Sequence, residues 1–139
     1  MLAAWYYGAV KDKEKLDYVL DYLAVVGEKP YGNKWRWLGH GVFLARHVQE
    51  DDDRALALAR ILAENKNPNL GMWATQLPAI ILQSQGNKEE AYKIMINILQ
   101  NSAEELHPNE VNYMVDYICN TILKDDDTIQ KPEFCDNVL

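Results

Sequence analysis

The sequence predicts an all-α fold built from antiparallel helix pairs that follow one another along the chain. Apolar residues recur at helical spacing in several segments, and three helix starts share one capping pattern. No segment alternates apolar and polar residues for long enough to indicate a strand. We therefore expect about seven helices, stacked in pairs as a short right-handed solenoid.

The clearest helix start lies in the segment QSQGNKEEAYKIMINILQ. Gly86 ends one helix, Asn87 caps the next, and Glu90 three residues later completes a capping box. The apolar stripe of this helix consists of Ala91, Ile94, Met95, Ile98 and Leu99.

Two upstream segments repeat this arrangement. Asp12 caps a predicted helix that ends at Gly27. The acidic run 51–53 precedes another predicted helix, and its carboxylates favour the positive N-terminal end of that helix. The apolar stripes are Leu16, Val19, Leu20 and Leu23 in the first helix, and Ala55, Leu58, Ala59 and Leu62 in the second.

These second helices recur at a nearly constant interval. Leu16, Ala55 and Ala91 lie 39 and 36 residues apart, and Trp37 and Trp73 are also 36 residues apart. First helices are expected at 2–10, 34–49 and 70–85. The predicted domain therefore covers 1–124, with units at about 1–33, 34–68 and 69–101 and a final helix at 108–124. Residues 125–139 form an acidic tail that we expect to be flexible.

In these features the chain resembles the tetratricopeptide repeat superfamily. Gly86 matches its turn glycine, Ala91 its small packing residue, and Met95 and Ile98 its later interior positions. The matching residues are Ala55, Ala59 and Leu62 in the second unit, and Leu16, Leu20 and Leu23 in the first. A related helical-repeat family with units near 40 residues is the alternative.

The chain departs from that pattern at four places. Lys11 and Glu50 stand where the turn glycine belongs, and the proline that follows the second helix is present only as Pro68. Pro78 lies inside the first helix of the third unit, where it removes a backbone donor. We therefore expect a kink or a late helix start near residue 78.

Charge and cysteine usage limit the classes of function. The net charge of −7 and a pI near 4.9 disfavour a nucleic-acid partner, whereas a basic or neutral polypeptide is easier to accommodate. No run is apolar enough to span a bilayer, and no secretory signal follows Met1. The compartment stays open between the cytoplasm and, for a fragment of an exported protein, the periplasm or cell envelope. Cys119 and Cys135 are interpreted as two free thiols in preference to a disulfide.

The first helices supply a candidate peptide groove, since they line the concave side of such arrays. On each first helix, positions separated by three and seven residues share a face, and they hold a tryptophan followed by polar groups. The candidates are Trp37, His40, Leu44, His47, Trp73, Gln76, Ile80, Gln83, Asn112 and Asp116. In the alternative interpretation, both tryptophans pack between helices and the polar groups are solvated or satisfied internally.

Other kinds of site find little support in the sequence. His40 and His47 begin about 10 Å apart along a helix, too far to share one metal ion, so we expect no metal and no cofactor. The basic and asparagine set by which some tetratricopeptide repeats hold a carboxyl terminus is missing at the matching positions. No nucleophile turn or phosphate-binding glycine loop is present, so we expect no catalysis.

The sequence therefore predicts a non-catalytic module that binds a polypeptide through a concave groove. The alternative is a structural or self-association module that stacks through the apolar faces of its terminal units. The aromatic segment at residues 5–8 is expected to pack between helices, but it also makes the first helix poorly capped against solvent.

Overall fold

The computed structural model describes residues 2–27, 34–64, 73–102 and 104–137. These ranges contain helices and connecting turns but no strand, so the predicted all-α fold is confirmed, with its helices packed in consecutive pairs. The seven α-helices of the described part are α1 (Leu2–Ala9), α2 (Lys13–Gly27), α3 (Lys34–His47), α4 (Asp52–Glu64), α5 (Trp73–Ser84), α6 (Lys88–Ser102) and α7 (Pro108–Tyr117). None of them is both long and apolar enough to cross a membrane.

The chain divides into two compact units, Met1–Leu77 and Pro78–Leu139, and helix α5 runs through the boundary. Pro78 lies inside α5, which begins at Trp73. Of the two predicted alternatives, a kink or a late helix start near residue 78, the late start is therefore wrong. The predicted unit boundaries near residues 33 and 68, and Pro68 itself, lie outside the described residues.

The three turns within the helix pairs each contain one residue with a positive φ angle. Lys11, Glu50 and Gly86 have φ angles of 55°, 54° and 85°, so the two residues that replace glycine still adopt its left-handed conformation. In each turn the next amide donates back to the end of the preceding helix. The bonds run from Asp12 N to Tyr7 O (2.9 Å), from Asp51 N to Ala45 O (2.9 Å) and from Asn87 N to Leu82 O (2.9 Å).

The residue after each left-handed position caps the following helix. The side-chain oxygens of Asp12, Asp51 and Asn87 each accept a hydrogen bond from the amide three residues later, at 3.2, 3.0 and 3.4 Å. Asn87 Nδ2 also donates to Glu90 Oε2 at 2.9 Å, but the Asn87 backbone amide donates to Leu82 O, so only one of the two bonds of the predicted capping box is formed. Each of these three turns therefore combines a positive-φ residue with a capping side chain directly after it.

The core of the first unit forms around α3, which packs against both α2 and α4. Gly41 permits this close packing, since a Cβ there would lie 3.3 to 3.5 Å from methyl groups of Leu58, Leu23 and Leu20. The principal buried side chains are Leu16, Leu20, Leu23, Leu38, Val42, Leu44, Leu58 and Leu62. The predicted stripes of α2 and α4 are therefore the stripes that enter this core, with Val19 at its half-buried edge.

Arg54 on α4 connects that helix to α2 through charge. Its Nη1 lies 3.2 Å from both Asp17 Oδ1 and Asp21 Oδ1 and donates to the Asp17 carbonyl at 3.1 Å. Gln49 also donates to Asp17 Oδ1, at 2.6 Å. The Arg54 side chain is 24% exposed, whereas those of Asp17 and Asp21 are 48% and 72% exposed, so water reaches these ion pairs from the carboxylate side.

The second unit contains α6, α7 and two short irregular helices. α7 begins at Pro108, as predicted, and its N-cap is His107, whose ring accepts from the Asn109 amide while Glu110 accepts from the His107 amide. A π-helical turn, Ile118–Ile122, continues α7, and a 3₁₀ helix spans Glu133–Asn137. The buried side chains of this unit include Met95, Ile98, Met114, Ile118, Ile122 and Leu123.

The cysteines are bonded to each other, so the expectation of two free thiols was wrong. Cys119 in the π-helical turn and Cys135 in the 3₁₀ helix form a disulfide, with Cα atoms 5.5 Å apart. The tail turns back after α7, and the Cys135 amide donates to the Pro132 carbonyl at 3.0 Å, which begins the short helix that carries the sulfur. Within the second unit, the disulfide anchors residues 133–137 to the π-helical turn.

Replacing Glu50 with glycine should raise the free energy of unfolding by about 0.5 to 1 kcal/mol. Left-handed strain of roughly 1 to 2 kcal/mol in a non-glycine residue exceeds the extra chain entropy that glycine loses, roughly 0.5 to 1 kcal/mol. Glu50→Ala is the control, since it removes the same side chain but keeps the strain.

Gly86→Ala should lower stability by about 1 kcal/mol, although its Cβ would meet no atom within 4 Å. Urea denaturation measures all three, and equal stability of Glu50→Gly and Glu50→Ala would contradict the strain argument.

Breaking the disulfide should destabilise the second unit by about 2 to 4 kcal/mol, because the bond closes a loop with a sequence separation of 16 residues. Denaturation with and without reductant, beside the Cys119→Ala/Cys135→Ala double variant, measures this loss. A thiol assay on the unfolded, unreduced protein should find no reactive thiol. Two reactive thiols would show that the bond does not form.

Candidate functional site

The first unit contains a cavity of about 710 Å³ that is lined mainly by aromatic and apolar side chains. All of its described lining residues come from α1, α3 and α5, which are the first helices of the three pairs. They are Trp5, Gly39, His40, Val42, Phe43, Arg46, His47, Trp73 and Leu77. We call this feature the aromatic cavity.

Four of the rings that line the aromatic cavity, those of α1 and α3, contact one another in a series. The Trp5 ring centroid lies 5.6 Å from that of His40, in an edge-on arrangement, and 5.5 Å from that of Phe43. Phe43 lies 4.7 Å from His47. Trp5 is 39% exposed, and Phe43 and Trp73 are each 48% exposed, so large apolar area remains open to solvent at one place.

Helical spacing and one glycine produce this arrangement. His40, Phe43 and His47 are three and four residues apart on α3, so their side chains lie along one face of that helix. Trp73 begins α5, and its ring approaches α3 at Gly39, where a Cβ would lie 3.6 Å from Trp73 Cη2. A larger side chain than alanine at residue 39 would compete with the Trp73 indole for this space.

The ionisable side chains that line the aromatic cavity are basic, namely Arg46 and the two histidines. Arg46 is half-buried, and its Nε lies 3.9 Å from Asp52 Oδ1 at the start of α4. Among the described residues that line the cavity, none carries a carboxylate. Arg46 and His47 also lie in the last turn of α3, where positive charge suits the helix dipole.

The structure brings three of the candidates together, since His40, His47 and Trp73 all line the aromatic cavity. Trp37 is partly exposed but does not line it. Leu44 and Gln76 are buried, so their side chains offer no open surface in the first unit.

The other four candidates belong to the second unit and do not line the aromatic cavity. Ile80 and Gln83 on α5 are half-buried. Asn112 and Asp116 on α7 are exposed, and Asp116 accepts a hydrogen bond from Asn120 Nδ2 at 2.7 Å.

Sequence reasoning missed Trp5, Phe43, Arg46 and Leu77. It selected Leu44 because of its helical position, but α1 covers this side chain, and a Cβ at Gly8 would lie 3.2 Å from Leu44 Cδ2. Trp5 was expected to pack between helices, and its ring does contact α3, although much of it stays exposed. The spacing of Phe43 between the two histidines was the one signal in the sequence that could have identified it.

A second concavity, of about 580 Å³, lies in the second unit beside the start of α6. Its charged groups already have partners. Lys93 donates to Glu89 at 2.6 Å, which lowers the pKa of that carboxyl, and hydrogen bonds from Thr128 lower the pKa of Asp126. No group of three His, Cys, Asp or Glu side chains in the described part of the chain is placed to hold a metal ion.

No family model matches the chain, and no curated protein or solved structure matches it. The resemblance to tetratricopeptide repeats therefore stays a prediction from the sequence.

Proposed function

We propose that the chain is a non-catalytic module of tetratricopeptide-like helix pairs that binds a polypeptide. In this proposal the partner inserts a bulky apolar side chain into the aromatic cavity. The observation that carries the proposal is the concentration of exposed rings from three first helices around one cavity. Aromatic side chains give large, rigid contact area at low entropic cost, which suits recognition of a peptide.

The size of the cavity supports a side chain or a short segment as its occupant. Its volume of about 710 Å³ lies within the range of about 300 to 1,000 Å³ that is usual for ligand sites. The two histidines at its wall add hydrogen-bonding nitrogens that can contact the partner's backbone.

Truncating the exposed rings should remove peptide binding without unfolding the protein. The probes are capped, uncharged peptides with a central tryptophan, phenylalanine or leucine, and their alanine counterparts, titrated by calorimetry. We expect Trp73→Ala and Phe43→Ala each to weaken binding of the tryptophan peptide at least about ten-fold, since centrally buried aromatic contacts contribute roughly 2 kcal/mol or more. Tyr18→Ala is the matched control, because Tyr18 is 75% exposed on α2 and lies outside the cavity.

Circular dichroism should show unchanged helix content in all three variants. If the tryptophan peptide binds no better than its alanine counterpart, or if both cavity variants bind like the unaltered chain, the aromatic cavity is not the binding site.

A second candidate function is self-association, which an exposed apolar stripe on α2 favours. Tyr18, Tyr22 and Val25 lie four and three residues apart on one face, and all three are exposed. Tyr6 and Val10 in the segment before α2 are exposed as well. Apolar faces on the first unit of a helical array are the surfaces on which another unit or copy stacks.

Self-association through this stripe should depend on concentration and on the two tyrosines. Sedimentation of the unaltered chain should show dimers or larger species at high concentration, and Tyr18→Glu/Tyr22→Glu should sediment as a monomer. Phe43→Glu is the control for general loss of exposed apolar area. A monomer at every concentration tested would exclude this candidate function and leave peptide binding unaffected.

A further inference from the structure

We propose that the aromatic cavity selects a particular kind of segment, one in which a bulky apolar residue is followed by a single acidic residue. The apolar side chain fills the cavity, and the neighbouring carboxylate pairs with Arg46. This inference rests on the proposed function, since it names the partner chemistry that the same site takes.

The positive charge of Arg46 in the cavity lining disfavours a cationic ligand. Aromatic rings alone attract cations through their negative faces, so Trp5, Phe43 and Trp73 would suit a lysine or a methylated amine. The same cavity, however, includes Arg46, and no carboxylate among its described lining residues compensates a second positive charge. Asp52 pairs with Arg46 from outside this lining. A cation in the cavity would meet Arg46, whereas an acidic residue beside an apolar one can pair with Arg46 while the apolar side chain contacts the rings.

Arg46 has the geometry to hold such an anion. A guanidinium has five N–H donors, and within the described part of the chain the ion pair of Arg46 joins its Nε to Asp52 Oδ1 at the long distance of 3.9 Å. The side chain is 26% exposed, so a carboxylate that reaches it is partly shielded from water. A planar, half-buried guanidinium is also already oriented, which lowers the entropy lost on binding.

The net charge of the chain limits how acidic the partner can be. A charge of −7 repels a polyacidic segment as it approaches. At physiological ionic strength that repulsion is screened beyond about 8 Å, so a single carboxylate is governed by the nearby Arg46. The preferred sequence is therefore apolar–acidic with uncharged residues on both sides.

The test uses four capped and amidated peptides that differ at one position, so that every carboxylate belongs to a side chain. Each has a central tryptophan flanked by alanines, and the residue after tryptophan is aspartate, asparagine, lysine, or aspartate within a run of further aspartates. Calorimetry with the full chain should show the single-aspartate peptide binding about five-fold more tightly than the asparagine peptide. The lysine and polyaspartate peptides should bind more weakly than the single-aspartate peptide.

Variants then assign the preference to one side chain. Arg46→Gln should make the aspartate and asparagine peptides bind equally while keeping the affinity for the asparagine peptide, and Arg46→Lys should keep part of the preference. Asp52→Asn removes the competing carboxylate and should preserve or increase it. Arg60→Gln on α4 is the control, since it removes an arginine that does not line the cavity.

The outcomes separate this inference from the proposed function. If no peptide binds, the proposed function fails. Equal affinities for the aspartate and asparagine peptides would overturn the inference and leave peptide binding intact. Tightest binding of the lysine peptide would show that the rings recognise a cation. A preference for aspartate that survives in Arg46→Gln would place the anion contact elsewhere.

Discussion

The packing of α3 between α2 and α4 is the constraint on which the aromatic cavity depends. One side of α3 provides Leu38, Val42 and Ala45 to the core, and the close approach at Gly41 fixes its rotation about its own axis. His40, Phe43 and His47 must then face away from α4 and toward the open side. The site is therefore a consequence of the core, since a rotation of α3 would bury these rings and expose leucines.

The turns explain why the helices meet in register. Each pair reverses through a left-handed residue followed by a capping Asp or Asn, and both parts are local chemistry. This is why the sequence predicted α2, α4 and α6 from their caps and apolar stripes alone. Lys11 and Glu50 have the positive φ angle that the glycine of the repeat pattern would adopt, although neither is glycine. Matching residue types alone therefore does not identify these turns.

The parts that the sequence could not predict depend on contacts between distant segments. Leu44 has the right position on α3 to face a groove, but only the packing of α1 at Gly8 determines that it is covered. Trp5 joins the cavity for the same reason, since its role depends on where α1 lies against α3. The disulfide is a third case. Nothing in the local sequence around Cys119 and Cys135 indicates that the tail returns to the π-helical turn.

Two opposing requirements meet at the aromatic cavity. Exposed rings favour association with other molecules, whereas the net charge of −7 opposes the approach of another acidic chain at long range. The same charge would exclude an acidic partner if it extended evenly over the surface. Arg46 places a positive charge at the aromatic cavity itself. This charge acts on a neighbouring carboxylate at contact distance, whereas repulsion from the distant negative charges is screened by salt. The proposed occupant meets both conditions, because its apolar side chain would contact the rings and its single carboxylate would pair with Arg46.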